Sequence, residues 1–194
     1  MKTILLFTFV MAMVNATTAQ IQYGVKAGLN RVSLNYSGSA INDLGVRYDF
    51  NAGIFASVPL FSNFYLQPEL MYSGQGSGFT DSIPADANYN YLNVPVLFKY
   101  QHTSGFFAET GPQIDFLLSA ELKSDGHSID NKNYTQSTDF SWVLGIGYKI
   151  SSINTGIDMR YNFGLTNTIK ASSAAGTAKN SVFQLDLFYQ FKNL

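Results

Sequence analysis

Residues 153–163 read INTGIDMRYNF, and apolar and polar side chains alternate along this segment. Ile157 and Tyr161 fall on one face of an extended chain, whereas Asp158 and Arg160 fall on the other. Because successive side chains of a β-strand point to opposite faces, this period of two predicts a strand with one apolar wall and one charged wall. Such a strand suits a barrel wall that separates lipid from a polar interior.

The same alternation recurs along most of the chain. Eight strands are predicted, at residues 22–30, 46–60, 64–74, 89–101, 105–118, 140–150, 153–163 and 181–191. Their connections alternate between tight turns, at residues 61–63, 102–104 and 151–152, and long polar loops, at residues 31–45, 75–88, 119–139 and 164–180. Outer-membrane barrels have short turns on the periplasmic side and longer loops outside. The prediction is therefore an all-β fold, an eight-stranded antiparallel up-and-down transmembrane β-barrel with short periplasmic turns and four long extracellular loops.

The N-terminal segment has the features of a secretory signal peptide. Lys2 supplies the positive charge, residues 4–14 are apolar, and residues 17–19 (Thr-Thr-Ala) form a small-residue cleavage site. The apolar stretch is shorter than the ~20 residues that a transmembrane helix needs. We therefore expect a signal peptide over residues 1–19 and an outer-membrane β-barrel domain over residues 20–194.

The composition limits the classes of function. The chain has 46% hydrophobic and 13% charged residues, and its mean hydropathy of +0.01 resembles that of a soluble protein. This value is expected of an alternating chain, because polar interior positions cancel apolar exterior ones. The net charge of −1, without a basic stripe, argues against a nucleic-acid partner. The absence of cysteine excludes disulfides, thiolate metal sites and a cysteine nucleophile.

The predicted inward face collects nearly all the charged side chains of the strands. They are Lys26, Arg47, Asp49, Glu69, Lys99, Glu109, Asp115, Lys149, Asp158, Arg160 and Asp186. This set contains five cations and six anions. The interior of an eight-stranded barrel is just wide enough for side chains to fill, and a buried charge without a partner is costly. We therefore expect a lumen charge network in which these groups pair and fill the barrel, rather than an open pore.

Aromatic residues and prolines mark the predicted strands in different ways. Aromatic side chains concentrate near the strand ends, as the interfacial girdles of a membrane barrel require. They are Tyr48, Tyr72, Tyr91, Tyr100, Phe106, Phe140, Tyr148, Tyr161, Phe163 and Phe191. Prolines lie inside predicted strands at Pro59, Pro68, Pro95 and Pro112. Because proline cannot donate to a ladder, we expect bulges or a local loss of pairing at these four positions.

Several segments resemble the PorT-like outer-membrane β-barrel family, whose members are often called porin-family proteins. The segments are LQPELMYS at residues 66–73, YLNVPVLFKY at 91–100, Gly-Pro at 111–112, GIGY at 145–148 and DMRYNFGL at 158–165. The resemblance covers essentially the whole mature chain. It implies an eight-stranded barrel in the outer membrane of a Gram-negative envelope, surrounded by lipid and inserted by the barrel-assembly machinery. It implies no cofactor and no transferable catalytic residues, and some members are linked to protein secretion.

Two segments could carry chemistry, and each has a plainer interpretation. Residues 74–78 read GQGSG, but neither a lysine nor a helix pattern follows, so we expect a flexible strand exit rather than a phosphate-binding loop. His127, near Asp125 and Asp130, could form an acid/base pair or a weak metal site, but one histidine among loop carboxylates is more often solvated surface. The other histidine, His102, lies in a predicted turn at the opposite end of the barrel. We therefore predict neither catalytic nor metal-binding residues, and no enzyme activity.

The favoured function is that of an integral outer-membrane barrel with a side-chain-filled lumen and a structural, binding or adhesion-type role through its extracellular loops. A narrow, porin-like solute conduit is the first alternative, in which the same charges form a gated polar path. A component linked to protein secretion is another. A soluble lipocalin-like ligand-binding barrel is the alternative from a different class, but its interior is apolar and its exterior polar, the reverse of the faces predicted here.

Overall fold

The computed structural model describes residues 20–37, 44–79, 85–124, 127–130, 132, 135–167 and 177–192. The predicted signal peptide, residues 1–19, lies outside these ranges, as does Asp125. Within the described ranges no helix is long and apolar enough to cross a membrane. The described chain is almost entirely β-strand.

Eight long strands form the wall of the barrel. They are β1 (Gln22–Ser37), β2 (Arg47–Phe61), β3 (Phe64–Phe79), β4 (Ala85–Gln101), β5 (Phe106–Ser124), β6 (Thr138–Ile150), β7 (Thr155–Gly164) and β8 (Thr177–Gln190). Two short strands, Leu44–Gly45 and His127–Asp130, add to β3 and β5 at their loop-side ends. Each of the eight predicted strands is therefore confirmed among the described residues.

Every long strand pairs antiparallel with the next one along the chain, from β1 to β8. The barrel closes where β8 pairs with β1, from Gly24 opposite Gln190 to Ser37 opposite Thr177. This topology confirms the predicted eight-stranded up-and-down barrel. We call the end that carries the tight β2–β3, β4–β5 and β6–β7 turns the turn end, and the opposite end the loop end.

The strands are longer than predicted at the loop end. Their lengths run from 10 residues in β7 to 19 residues in β5, whereas a tilted strand crosses the bilayer in about 9–11 residues. Residues predicted to end the second loop and to begin the third instead continue the β4–β5 ladder, where Ala85 lies opposite Ser124. Backbone hydrogen bonds extend a hairpin without needing apolar side chains, so polar composition alone did not mark where the strands end.

Two local predictions are wrong. Residues 151–154 form the β6–β7 turn, so the seventh strand begins at Thr155 instead of Ile153. Asn154 has a φ of 52°, a left-handed conformation that asparagine tolerates better than most residues, and the Ile153 N–H donates to the Ile150 carbonyl at 3.2 Å. The GQGSG segment at residues 74–78 lies inside β3 rather than forming its exit.

The prolines disturb the ladders as expected, by one register shift and by local losses of pairing. The pairing register shifts between Pro59 and Phe61, beside the β2–β3 turn. At the other three prolines the register is kept, but two residue pairs are missing from one ladder of each. The gaps lie between Phe55 and Val58 opposite Pro68, between Pro68 and Met71 opposite Pro95, and between Pro95 and Phe98 opposite Pro112. A second shift lies away from any proline, where Asn90 pairs with Ser119 but Tyr91 pairs with Leu117. Leu118 is the extra residue of this bulge, which turns both Leu117 and Ala120 into the lumen.

The outer wall is apolar, as the predicted faces require. On β6 the outward side chains are Phe140, Trp142, Leu144, Ile146, Tyr148 and Ile150, all of them exposed. Aromatic contacts concentrate near the turn end, where ring centroids of Phe64 and Tyr100 lie 5.0 Å apart and those of Phe106 and Tyr148 lie 4.8 Å apart. Towards the loop end, polar outward residues such as Arg31 and Thr138 replace the apolar ones. Tyr91 is an exception to the predicted girdle, because its side chain is fully buried in the lumen.

Candidate functional site

The middle of the lumen is filled by six charged side chains, which we call the central charge layer. They are Lys26, Glu69, Lys99, Glu109, Asp158 and Arg160. Each comes from the inward face of a strand, and none is more than 5% exposed. Five strands contribute to the layer, so the closed barrel is what brings these residues together.

Arg160 is the centre of this layer. Its guanidinium donates to both carboxylate oxygens of Glu69, with Nη1–Oε2 at 2.6 Å and Nη2–Oε1 at 2.7 Å. The same Nη2 lies 2.5 Å from Oε1 of Glu109, and Nε lies 2.9 Å from Oδ2 of Asp158. A planar guanidinium suits such bidentate contacts better than a lysine ammonium does. One cation therefore links carboxylates from β3, β5 and β7.

The two lysines complete the charge balance. Lys26 Nζ forms ion pairs with Asp158 and, at 3.2 Å, with Glu69. Lys99 Nζ lies 3.9 Å from Oε2 of Glu109 and 3.7 Å from the ring centroid of Phe107, so it combines an ion pair with a cation–π contact. The layer then contains three cations and three anions. Removing one partner from a buried group of this kind leaves an uncompensated charge and is strongly destabilising.

Three phenylalanines pack together in the lumen on the turn side of the central charge layer. We call Phe55, Phe107 and Phe188 the phenylalanine triad; their rings meet edge to face, with centroids 6.0 Å (Phe55–Phe188) and 5.8 Å (Phe107–Phe188) apart. Such edge-to-face contacts add to the stabilisation from burial. The triad is an apolar floor beneath the charges.

Each ring of the triad covers a glycine directly opposite on the neighbouring strand. Phe55 faces Gly24, Phe107 faces Gly147, and Phe188 faces Gly156. A Cβ added to any of these glycines would lie 2.2–2.3 Å from the opposing ring, which is closer than real atoms approach. At this level of the lumen each phenylalanine therefore occupies the space left by a glycine on the neighbouring strand.

Uncharged amides occupy the next level towards the loop end. Asn51 Nδ2 donates to Oδ1 of Asn30 at 2.7 Å and to Oδ1 of Asp186 at 2.9 Å. Gln184 Nε2 donates to Asn30 Oδ1 at 3.0 Å, and Asn162 Nδ2 donates to Gln184 Oε1 at 2.9 Å. This hydrogen-bonded amide layer covers the central charge layer from the loop side.

A small cavity follows, which we call the loop-end cavity. Its volume is about 10 Å³. Its lining consists of Gln75, Gln113, Asp115, Asp139, Phe140, Ser141, Asn162, Gly164, Asn180 and Val182. Beyond it Tyr89, Tyr91, Leu117 and Ala120 pack together as an apolar cluster.

The eleven predicted lumen charges thus separate into several groups rather than one network. Six form the central charge layer, and Asp186 lies in the amide layer. Arg47 and Asp49 form a partly exposed pair at 2.9 Å. Asp115 accepts hydrogen bonds from Gln113 and Ser141, and half-buried Lys149 donates to Gln190 at the turn end.

The prediction missed several residues that shape the site. Asp139 was assigned to the third loop but points into the lumen, directly opposite Asp115. Extending the alternation of Ser141 and Val143 by one step would have found it. Gln67, which bridges Glu69 and Glu109 from Nε2 at 2.7 and 3.4 Å, was missed because only charged residues were considered.

The two histidines lie far from this interior. His102 is exposed beside the β4–β5 turn, and His127 is exposed at the start of the short strand near the loop end. Over the described ranges, no group of three or more His, Cys, Asp or Glu side chains is placed to hold a metal ion. The geometry built by the described residues is that of a filled, internally paired lumen inside an apolar wall.

Comparison with known proteins agrees with this geometry. Residues 15–170, more than half of the chain, match the family described as "Outer membrane protein beta-barrel domain". No curated protein matches the chain in sequence.

Solved structures of outer-membrane barrels are similar to this chain. The crystal structure of Neisserial surface protein A (NspA) has a TM-score of 0.59 at 12% identity, covering 87% of this chain and 97% of that one. Ail, the attachment invasion locus protein of Yersinia pestis, has a TM-score of 0.48 at 15% identity, covering 88% and 98%. OprG from Pseudomonas aeruginosa has a TM-score of 0.41 at 14% identity, covering 89% and 95%. The likeness to NspA supports the fold, and by its family match this chain is an outer-membrane β-barrel protein that belongs to the outer membrane protein beta-barrel domain family.

Proposed function

We propose that this protein is a sealed outer-membrane barrel whose role is structural or binding and is carried by its loop end. The observation that carries the proposal is the central charge layer, because Arg160 alone bridges carboxylates from three strands across the lumen. An aqueous path at this depth would have to separate these pairs, and each buried ion freed of its partner is costly. The phenylalanine triad supports the proposal, since an apolar floor lies directly beneath the charges.

The strand extensions at the loop end supply the surface for such a role. The β4–β5 hairpin continues to Ala85 and Ser124, and the short strand His127–Asp130 pairs with residues 121–124. All four residues of that short strand are exposed, including the apolar side chain of Ile129. A rigid wall that projects beyond the membrane is suited to presenting binding residues. The molecule bound by this surface would be an extracellular ligand.

Single-channel recording in planar bilayers tests the sealed lumen. We expect the purified wild-type barrel to pass no steady current. An Arg160→Ala/Phe107→Ala double variant, which removes the central cation and one ring of the triad, should show measurable conductance if it remains folded. Steady current through the wild type would instead support the narrow solute conduit.

A soluble lipocalin-like barrel is not favoured. Its interior would be apolar and its outer surface polar, whereas here Ile146 is 61% exposed on the outer wall and Arg160 is 3% exposed inside. Gel electrophoresis in SDS, with and without boiling, checks the membrane barrel directly. We expect the unboiled protein to migrate differently, and recovery without detergent and without a shift would contradict the assigned faces.

The finer assignments follow from the sequence. We propose that the chain is a PorT-like member, on the strength of the segments at residues 66–73 and 91–100, with secretion as a further alternative role. We also propose export by a signal peptide over residues 1–19, insertion by the barrel-assembly machinery, and a non-catalytic role without cofactors or nucleic-acid partners. Intact mass of the protein from outer membranes should place its N-terminus at Gln20.

A further inference from the structure

The outer wall contains a groove that crosses β4 to β8, which we call the wall groove. Its volume is about 540 Å³, and its lining runs from Tyr100 on β4 to Phe183 on β8. This volume lies within the range of about 300–1,000 Å³ that is usual for ligand pockets. Glu109 and Arg160 also belong to the lining, but their side chains are buried in the central charge layer. The groove is therefore a depression of the membrane-facing surface.

Small side chains between larger ones create this depression. Ala108 on β5 lies directly between Tyr100 on β4 and Ile146 on β6. Thr110, the next outward residue of β5, lies beside Leu144 of β6. Tyr100, Leu144 and Ile146 are all exposed on the outer wall. The two β5 residues therefore form a floor between raised apolar sides.

The hydroxyl on the floor of the groove is satisfied within the wall. Thr110 Oγ1 donates to the Val143 carbonyl at 2.9 Å and accepts from Trp142 Nε1 at 2.8 Å. The hydroxyl has only one hydrogen to donate, and the protein already uses it. The floor therefore needs no polar partner from a ligand, and an apolar occupant suits it best.

The wall groove runs from the turn-side surface of the membrane towards its interior. Tyr100 is next to the last residue of β4 and belongs to the aromatic contacts at the turn end. Phe183, at the other end of the groove, lies near the middle of β8. One phospholipid acyl chain covers the same interval, because each leaflet occupies half of the hydrocarbon core of ~30 Å.

We propose that the wall groove binds one acyl chain of a glycerophospholipid from the turn-side leaflet. The groove is continuous with the apolar outer wall, which faces lipid in an outer-membrane barrel. A hydrocarbon chain fills such a depression through dispersion contacts, which the lining atoms would otherwise lack. A second copy of this chain fits less well, because a two-fold contact would place one groove against the other and leave both unfilled. The inference does not depend on whether the lumen conducts.

Fluorescence of Trp142, the single tryptophan, tests this site, because its indole is hydrogen-bonded to the floor of the groove. The full barrel in a nonionic detergent is titrated with phosphatidylethanolamine that carries bromine on one acyl chain, since bromine quenches tryptophan on contact. We expect saturable quenching in the wild type, and one retained lipid per chain in native mass spectrometry. Ala108→Phe should abolish both, because the new ring occupies the floor of the groove.

Ala27→Phe is the matched control, because Ala27 is also exposed on the outer wall but lies outside the groove lining; it should bind the lipid as the wild type does. The boiling-dependent gel shift verifies that each variant is folded. Quenching of the wild type that does not saturate would overturn the proposal, and so would a folded Ala108→Phe variant that retains the lipid. A wild-type dimer that carries no lipid, and that Ala108→Phe dissociates, would overturn it by assigning the groove to a second copy.

Discussion

The central charge layer and the loop-end cavity bury carboxylates in the same lumen, but the described side chains that contact Glu69 and Asp115 differ between the two regions. In the central layer, Glu69 meets Arg160 through two contacts and Lys26 through a third. In the loop-end cavity, Asp115 meets Gln113 and Ser141, which are neutral. The difference follows depth along the barrel. Charges in the middle of the membrane must be balanced by the protein itself, whereas the loop end lies nearer to water.

Removing the central cation should have the largest effect. Arg160→Met leaves three carboxylates with two lysines, and we expect the free energy of unfolding to fall by about 3–5 kcal/mol. Urea unfolding in lipid vesicles, followed by fluorescence of the single tryptophan, Trp142, measures this change. The control is Arg47→Met, which breaks a partly exposed pair at the loop end and should cost at most about 1 kcal/mol. Similar losses in both variants would remove the distinction between the two regions.

Charges on the outer wall test the difference in depth. Ile146 is next to Gly145, which lies between Glu109 and Arg160 in the sheet, so it marks the level of the central layer. Ile146→Arg should therefore destabilise the inserted barrel by about 2–4 kcal/mol, the cost at the bilayer midplane. Thr138→Arg, beside Asp139, should destabilise the inserted barrel by only about 0–1 kcal/mol, because residue 138 lies near the membrane–water interface. Equal losses of unfolding free energy in Ile146→Arg and Thr138→Arg, measured by the same assay, would mean that both positions lie at the same depth in the membrane.

The floor beneath the central layer can be tested by a glycine substitution. Gly147→Ala places a Cβ 2.2 Å from the Phe107 ring and 2.4 Å from the Ile157 carbonyl oxygen, and overpacking of this kind typically costs about 1–3 kcal/mol. Phe107→Leu in the same chain should recover part of the loss by making room for the methyl group. A double-mutant cycle measures the coupling. If Phe107→Leu recovers none of the stability, the contact between the Phe107 ring and the new methyl group would not be the cause of the loss.

The smallest effect is expected at Asp115. Asp115→Asn should leave the free energy of unfolding unchanged or raise it by at most about 1 kcal/mol, because a carboxylate held by neutral donors becomes a neutral amide. The same type of change in the central layer, Glu69→Gln, should instead lower it by about 3 kcal/mol. Parallel urea-unfolding curves of the wild type and the two variants measure both changes.

Alternation made the wall of the barrel predictable. Along β7, Ile157 and Tyr161 point outward while Asp158 and Arg160 point inward, as the period of two requires. The existence of eight strands and the up-and-down order could therefore be predicted from the sequence. Strand ends could not, because the β4–β5 ladder continues through polar residues whose pairing depends on the backbone alone.

The arrangement inside the lumen was less predictable. Alternation assigns a side chain to a face, but it does not give the stagger between strands that decides which charges meet. Arg160 and Glu69 are 91 residues apart in sequence, and nothing local to either residue selects the other. Tyr91 shows a second limit, since an aromatic residue near a strand end suits both a membrane girdle and the interior.

The closing ladder between β1 and β8 has a consequence for the order of folding. Seven of the eight ladders join strands that follow one another in the chain, and each can form as a hairpin. The eighth joins residues such as Asn30 and Gln184, which are 154 positions apart. The entropy lost on closing a loop grows with its length, and contacts between distant residues slow folding. We therefore expect the β1–β8 ladder to form last, after the hairpins have assembled. Mutations in this ladder should change the rate of barrel closure more than the rates of the earlier steps.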